Sequence, residues 1–132
     1  MPPVIHHIGW VVRSIDASRH HFETALGLEL RSEEAFPNLR VAFFGGGGSS
    51  MIELTEPLTD DSNAARFLAR RGEGLHHLAL RVDDVAAALA EAASHGFEPI
   101  DSAPRPGARG TQVAMVDPKR EDGVLVQYVQ ER

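Results

Sequence analysis

Four polar residues interrupt otherwise apolar runs of this 132-residue chain in a way that could do chemistry. Two belong to a repeated dipeptide. Ile5-His6-His7-Ile8-Gly9-Trp10-Val11-Val12 and Leu75-His76-His77-Leu78-Ala79-Leu80-Arg81-Val82 lie 70 residues apart. Histidine is the commonest metal ligand, so two copies suggest one ion held by a duplicated unit. The other two are Glu53, inside Met51-Ile52-Glu53-Leu54, and Gln127, inside Val124-Leu125-Val126-Gln127-Tyr128-Val129. A lone carboxylate in an apolar strand either faces solvent or is neutralised by a cation.

The elements that must position these residues repeat as well. Val4–Val12 is short and rich in β-branched residues, which predicts a strand. Ser14 is placed to cap a helix with Ile15, Phe22, Ala25 and Leu26 on its apolar face, ending at Gly27. Extended segments follow at Leu28–Leu30, Leu39–Phe44 and Ser49–Thr55, with a turn at Gly45–Gly48. The second half runs the same way. Leu75–Val82 is a strand, and Asp83 or Asp84 caps a helix bearing Val85, Ala88, Leu89, Ala92 and Ala93 up to Gly96. Phe97–Ile100, Thr111–Val116 and Val124–Val129 are extended. Arg40–Phe44 matches Gln112–Val116 at an offset of 72, and Ile52–Leu54 matches Val126–Tyr128 at 74.

These elements predict an α+β fold of two paired βαβββ modules in one 132-residue domain. The modules span about 4–57 and 74–130, with a linker helix at about 62–72 that turns Phe67 and Leu68 inward. Neither small curved sheet can bury both its faces alone. Side by side they predict an open, cupped sheet around a cavity. Strand alternation puts His7, Gly9 and Val11 on one face, with Ile8, Trp10 and Val12 on the other. His77 and Ala79 share the matching face of the second half. His7 and His77 are therefore the expected cavity histidines, rather than His6 and His76.

With Glu53 and Gln127 they make a mixed N/O set suited to a divalent ion such as Co, Ni, Zn, Mn or Fe. Each residue alone has a plainer reading, as a hydrogen-bonded core residue or a solvated edge carboxylate. The symmetry singles the four out. His20, His21 and His95 lie on helical stretches and are expected in solvent, as are Arg70-Arg71 and Lys119-Arg120.

Composition narrows the partners. A net charge of −6 argues against a nucleic-acid surface, which needs a basic face. There is no cysteine, so disulfides and thiolate metal sites are excluded. No apolar run approaches a membrane span. Met1–Ile5 lacks the features of a signal peptide, and a cytoplasmic location is expected.

At this level the chain resembles the vicinal oxygen chelate superfamily of glyoxalases, bleomycin resistance proteins and dioxygenases, most closely methylmalonyl-CoA epimerase. The resemblance is carried by His7-Ile8-Gly9, by Ile52–Leu58 with its Glu-Leu-Thr-Glu-Pro-Leu, and by Gly74–Leu80 with Val82-Asp83-Asp84. Pro104–Thr111, Asp117-Pro118-Lys119 and Gly123–Val126 continue it across nearly the whole chain. It implies metal ligation by His7, Glu53, His77 and Gln127 and an acyl-CoA thioester substrate. It also implies α-proton transfer through a metal-stabilised enediolate, and a homodimer.

One ligand position departs from the family, which has glutamate where this chain has Gln127. That glutamate is thought to be both ligand and base. Some members carry a further carboxylate where this chain has Val41. Glu53 is then the candidate catalytic carboxylate among the four. A neutral amide also leaves the ion more Lewis-acidic than a second carboxylate would. The same scaffold admits a glyoxalase-like lyase, a non-haem iron oxygenase or a non-catalytic small-molecule-binding protein.

Overall fold

The computed structural model describes residues 2–45 and 50–132. The chain divides into two compact units, His7–His76, and Met1–His6 with His77–Arg132. The first unit contains β1 (Val4–Val11) from His7 onward, α1 (Ile15–His20), β2 (Glu29–Ala35), β3 (Leu39–Gly45), β4 (Met51–Pro57) and α2 (Asn63–Arg71). Its strand order is β2-β3-β4-β1, antiparallel except for the parallel β4–β1 pair.

The second unit takes β5 (Gly74–Arg81) from His77 onward. It continues with α3 (Val85–Ser94), β6 (Glu98–Pro99), β7 (Arg105–Pro106), β8 (Gln112–Asp117) and β9 (Leu125–Gln130). Its order is β5-β9-β8-β6 with a parallel β5–β9 pair, and β7 also pairs with β8. The α+β class and the repeated module order expected from the sequence are both present. Among the described residues, no helix is long and apolar enough to cross a membrane.

In each unit the helix after the first strand, α1 or α3, covers one face of that unit's sheet. In the first unit Val12, Ile15, Phe22, Ala42, Phe44 and Leu54 form the core, with Trp10, Leu28, Leu30 and Ile52 against it. In the second, Val85, Leu89, Ala92, Ala114 and Val116 do so, with Val82, Phe97, Val126 and Tyr128. Ile15 and Val85, Ala42 and Ala114, and Ile52 and Val126 correspond at offsets of 70, 72 and 74. Phe44, Ile15 and Leu54 are completely enclosed; burial contributes about 1.5–3 kcal/mol for each such side chain. The helix α2 packs Ala64 and Phe67 against Val11, with Leu68 beside them.

Both α1 and α3 are started in the same way, from two sides. Ser14 accepts from the Ala17 amide at 3.1 Å and Asp84 from the Ala87 amide at 3.1 Å. The end of the module's last strand supplies a second acceptor. Glu56 Oε1 takes the Ile15 amide at 2.8 Å, and Gln130 Oε1 takes the Val85 amide at 3.0 Å. These bonds satisfy amides that a helix cannot pair internally, and they tie each helix to the strand that carries a site residue.

Four expectations are corrected. Ala25 and Leu26 are exposed, because α1 continues into a π-helical turn at His21–Ala25 whose extra residue rotates them off the apolar face. Leu28, beyond Gly27 (φ 72°), takes their place, with its amide bonded to the Phe22 carbonyl at 3.1 Å. The strand β2 runs on to Ala35 rather than stopping at Leu30. The second unit's counterpart is two short pieces instead of one strand at 97–100. Pro99, Pro104 and Pro106 remove ladder donors there, and the Asp101 carboxylate takes the Met115 amide at 2.8 Å. Ala93 is exposed, leaving Val85, Leu89 and Ala92 as the buried stripe of α3. Of the expected glycine turn, Gly45 ends β3 and 46–48 lie outside the described residues.

Two outcomes follow. Glu56→Ala should lower stability by about 1 kcal/mol in denaturant titrations while Glu56→Gln stays near wild type. The amide oxygen keeps the helix bond and gives up only a partly exposed ion pair with Arg40 at 3.7 Å. Tyr128 is the sole tyrosine, and burial holds its phenol above its ordinary value of about 10. Its absorbance midpoint should lie above that of the denatured chain. The phenol's contribution to stability is then complete below about pH 10 and is lost as pH rises through the folded value.

Candidate metal centre

Strand register determines which side chains share a face. In the first unit Gly9 of β1 pairs with Glu53 of β4, and Phe43 of β3 pairs with Glu53 from the other side. His7, two residues before Gly9, therefore shares the face of Glu53. His7 Nε2 lies 3.6 Å from Glu53 Oε1. The Phe43 ring meets the His7 imidazole edge-on, with centroids 5.3 Å apart and planes at 87°. His7 and Glu53 are 3% and 8% exposed, so the solvated-edge reading of Glu53 fails. Gly9 adds no side chain between them. Val41, where the family resemblance allows a second carboxylate, is buried in β3 opposite Thr55.

The second unit repeats the arrangement. Ala79 of β5 pairs with Gln127 of β9, Met115 of β8 pairs with Gln127 from the other side, and His77 precedes Ala79 by two. His77 and Gln127 are buried, and Ala79, Val113 and Val129 form an apolar cluster on the same strands. The correspondence is complete: His7 with His77, Gly9 with Ala79, Phe43 with Met115, Glu53 with Gln127. Within the units, the structure thus brings His7 to Glu53 and gives His77 and Gln127 the matching register.

The other histidines separate as expected from alternation, though not into solvent. His6 is buried with its Nε2 3.7 Å from Glu131 of the second unit, whose other oxygen is 3.2 Å from Arg81. His76 is buried edge-on to Phe67 of α2. His20, His21 and His95 are exposed, as are Arg70, Arg71, Lys119 and Arg120. The sequence reading did not single out Phe43, although counting the alternation back from Phe44 would have turned it toward Glu53.

These residues compose a known kind of protein. The model of the Glyoxalase/Bleomycin resistance protein/Dioxygenase superfamily matches residues 6–115, and the chain belongs to that superfamily. Its relatives include an uncharacterized protein, YqjC, of Bacillus subtilis, 39% identical over 92% of this chain and 87% of the relative. The ethylmalonyl-CoA/methylmalonyl-CoA epimerase of Cereibacter sphaeroides is 30% identical over 96% of both chains. A variant of Streptomyces coelicolor methylmalonyl-CoA epimerase, solved with 2-nitronate-propionyl-CoA, superposes with a TM-score of 0.87 at 31% identity, covering 97% of this chain and 94% of that one. The resemblance read from the sequence is borne out at the level of the superfamily and its epimerase relatives.

The His7–Glu53 contact also has a consequence for stability. His7→Ala removes the imidazole from beside Phe43 and from beside a buried carboxylate. It should cost about 2 kcal/mol or more in the metal-free protein, measured by chemical denaturation.

Proposed function

We propose that the chain is a divalent-metal-dependent epimerase or isomerase that moves the α-proton of a 2-substituted acyl-CoA thioester of the methylmalonyl type. The observation that carries this reading is the repeated register, a buried histidine and a buried Glu or Gln in each unit. The epimerase relatives support the substrate class.

The donor set fits a metal. His7, Glu53, His77 and Gln127 offer imidazole nitrogens, a carboxylate oxygen and an amide oxygen, the mixture that borderline divalent ions accept. A nitrogen and an oxygen 3.6 Å apart on one buried face suit ligation of one cation better than a mutual hydrogen bond. A bound ion would supply Lewis acidity toward the thioester and carboxylate oxygens of the substrate.

The chain's own contribution is the proton transfer. Glu53 takes the proton as the α-C–H bond breaks, and the electron pair delocalises into the thioester carbonyl. Returning the proton to the face it left would restore the same epimer. Inversion at C2 therefore requires water to protonate the opposite face, and the hydroxide left behind takes the proton from Glu53. The amide of Gln127 cannot accept a proton, so in the second unit it serves as an oxygen donor alone. Phe43 and the apolar cluster of Ala79, Val113 and Val129 give these groups a poorly hydrated setting, where charge interactions are strongest.

Gln127 also favours one second reading. His7, His77 and Glu53 form a two-histidine, one-carboxylate set like that of non-haem iron oxygenases, and a glyoxalase-like lyase could use the same ligands.

Deuterium exchange separates the two. The cobalt-loaded protein in D2O should exchange the C2 proton of methylmalonyl-CoA, followed by NMR. Glu53→Gln should slow exchange about 10²–10⁴-fold, the usual worth of a positioned base, and Gln127→Glu should raise epimerisation relative to exchange. Cobalt should raise Tm in wild type and much less in His7→Ala. A metal-loaded wild type without exchange would sink the epimerase reading.

A further inference from the structure

One turn outside the proposed ligand set is held in a conformation its residue type disfavours. Arg109 has φ 60° and ψ 30°, followed by Gly110 at φ 71°. The Thr111 amide donates back to the Ala108 carbonyl at 3.3 Å. This is a type I′ turn, whose first central position favours glycine, asparagine or aspartate over a long side chain. A non-glycine residue kept in the left-handed region at a loop points to a use for its side chain.

The surroundings over-determine the turn. The Thr111 hydroxyl donates to the Ala108 carbonyl at 2.7 Å, and the Gly107 amide donates to the Thr111 carbonyl at 2.9 Å. A Cβ on Gly110 would meet Arg132 Nε at 2.8 Å, so a second guanidinium lies across the turn. A Cβ on Gly107 would come within 2.7 Å of Val113 Cγ1. Val113 clusters with Ala79 and Val129 in the unit that carries His77 and Gln127. The turn therefore sits against that apolar cluster. Arg109 is six residues before Met115, which pairs with Gln127, a separation of at most ~20 Å along a strand.

We infer that Arg109 is a specificity-determining residue that grips a phosphate of the CoA moiety. The inference rests on the acyl-CoA reading above. In an acyl-CoA the pantetheine arm separates the reacting carbon from the phosphates, so a phosphate anchor belongs at the margin of the site, away from Glu53. Arginine's planar fork suits phosphate bidentately. In a chain of net charge −6, Arg109 on the turn and Arg132 across it give an anion a local attraction.

Calorimetry with CoA, pantetheine and methylmalonyl-pantetheine as probes tests it on the metal-loaded protein. Arg109→Gly suits the backbone and should fold at least as well as wild type. It should weaken CoA binding about ten-fold or more, flatten its salt dependence and leave pantetheine binding unchanged. Arg109→Lys should fall between the two. Equal CoA affinity in wild type and Arg109→Gly overturns the inference. So does an equal loss for methylmalonyl-pantetheine, which would assign Arg109 to the substrate carboxylate. Arg109-dependent CoA binding without C2 exchange supports the anchor and overturns the epimerase reading. Exchange that ignores Arg109 does the reverse, and a wild type that binds no CoA overturns both.

Discussion

Parallel pairing of β1 with β4, and of β5 with β9, is the constraint on which the rest of the structure depends. A parallel pair cannot be closed by a tight turn, so a longer crossover must intervene, and in both units it holds a helix and further strands. The pairing sets Gly9 beside Glu53 and Ala79 beside Gln127. A slip of one residue would send Glu53 and His7 to opposite faces and turn Leu54 out of the core. Two features oppose that slip. The apolar face of β4, Ile52 and Leu54, is gripped by Phe22, Phe44 and Ile15. Glu56, further along the same strand, is bonded to the first turn of α1.

Much of this was legible in the sequence because it rests on periods. Alternation along Ile5–Val12 and Leu75–Val82 separated His7 and His77 from their neighbours, and the drifting offsets of 70, 72 and 74 assigned Glu53 and Gln127 to matching strands. What escaped is either a local departure from the helical period or an interaction between residues far apart in the chain. The π-helical turn at His21–Ala25 shifts the helical phase, and nothing in His-Phe-Glu-Thr-Ala announces it. The Asp101 carboxylate stands in for a ladder acceptor because the Met115 amide comes to lie opposite, a fact of tertiary pairing. The buried state of His6 and His76 was likewise hidden, since alternation assigns a face without saying what covers it.

The duplication supplies an internal comparison that no single module would. Glu53 and Gln127 correspond, and so do Glu56 and Gln130, all at an offset of 74. For Glu56 and Gln130 the exchange of carboxylate for amide is chemically quiet apart from the partly exposed ion pair of Glu56 with Arg40 at 3.7 Å. Each oxygen accepts one helix amide, at 2.8 Å and 3.0 Å. At the buried pair the same exchange is not quiet. Gln127 shows that an amide suffices for folding in this register, between Ala79 and Met115. Glu53 meets the same backbone demands between Gly9 and Phe43, and as a carboxylate it also carries the larger desolvation cost of a buried charge. An amide at position 53 would keep the strand and avoid that cost. What it would not keep is a negative charge beside His7 and a group able to take a proton. A carboxylate at position 53, where the other unit folds with an amide, is what the proposed cation-binding and proton-moving role of this face requires.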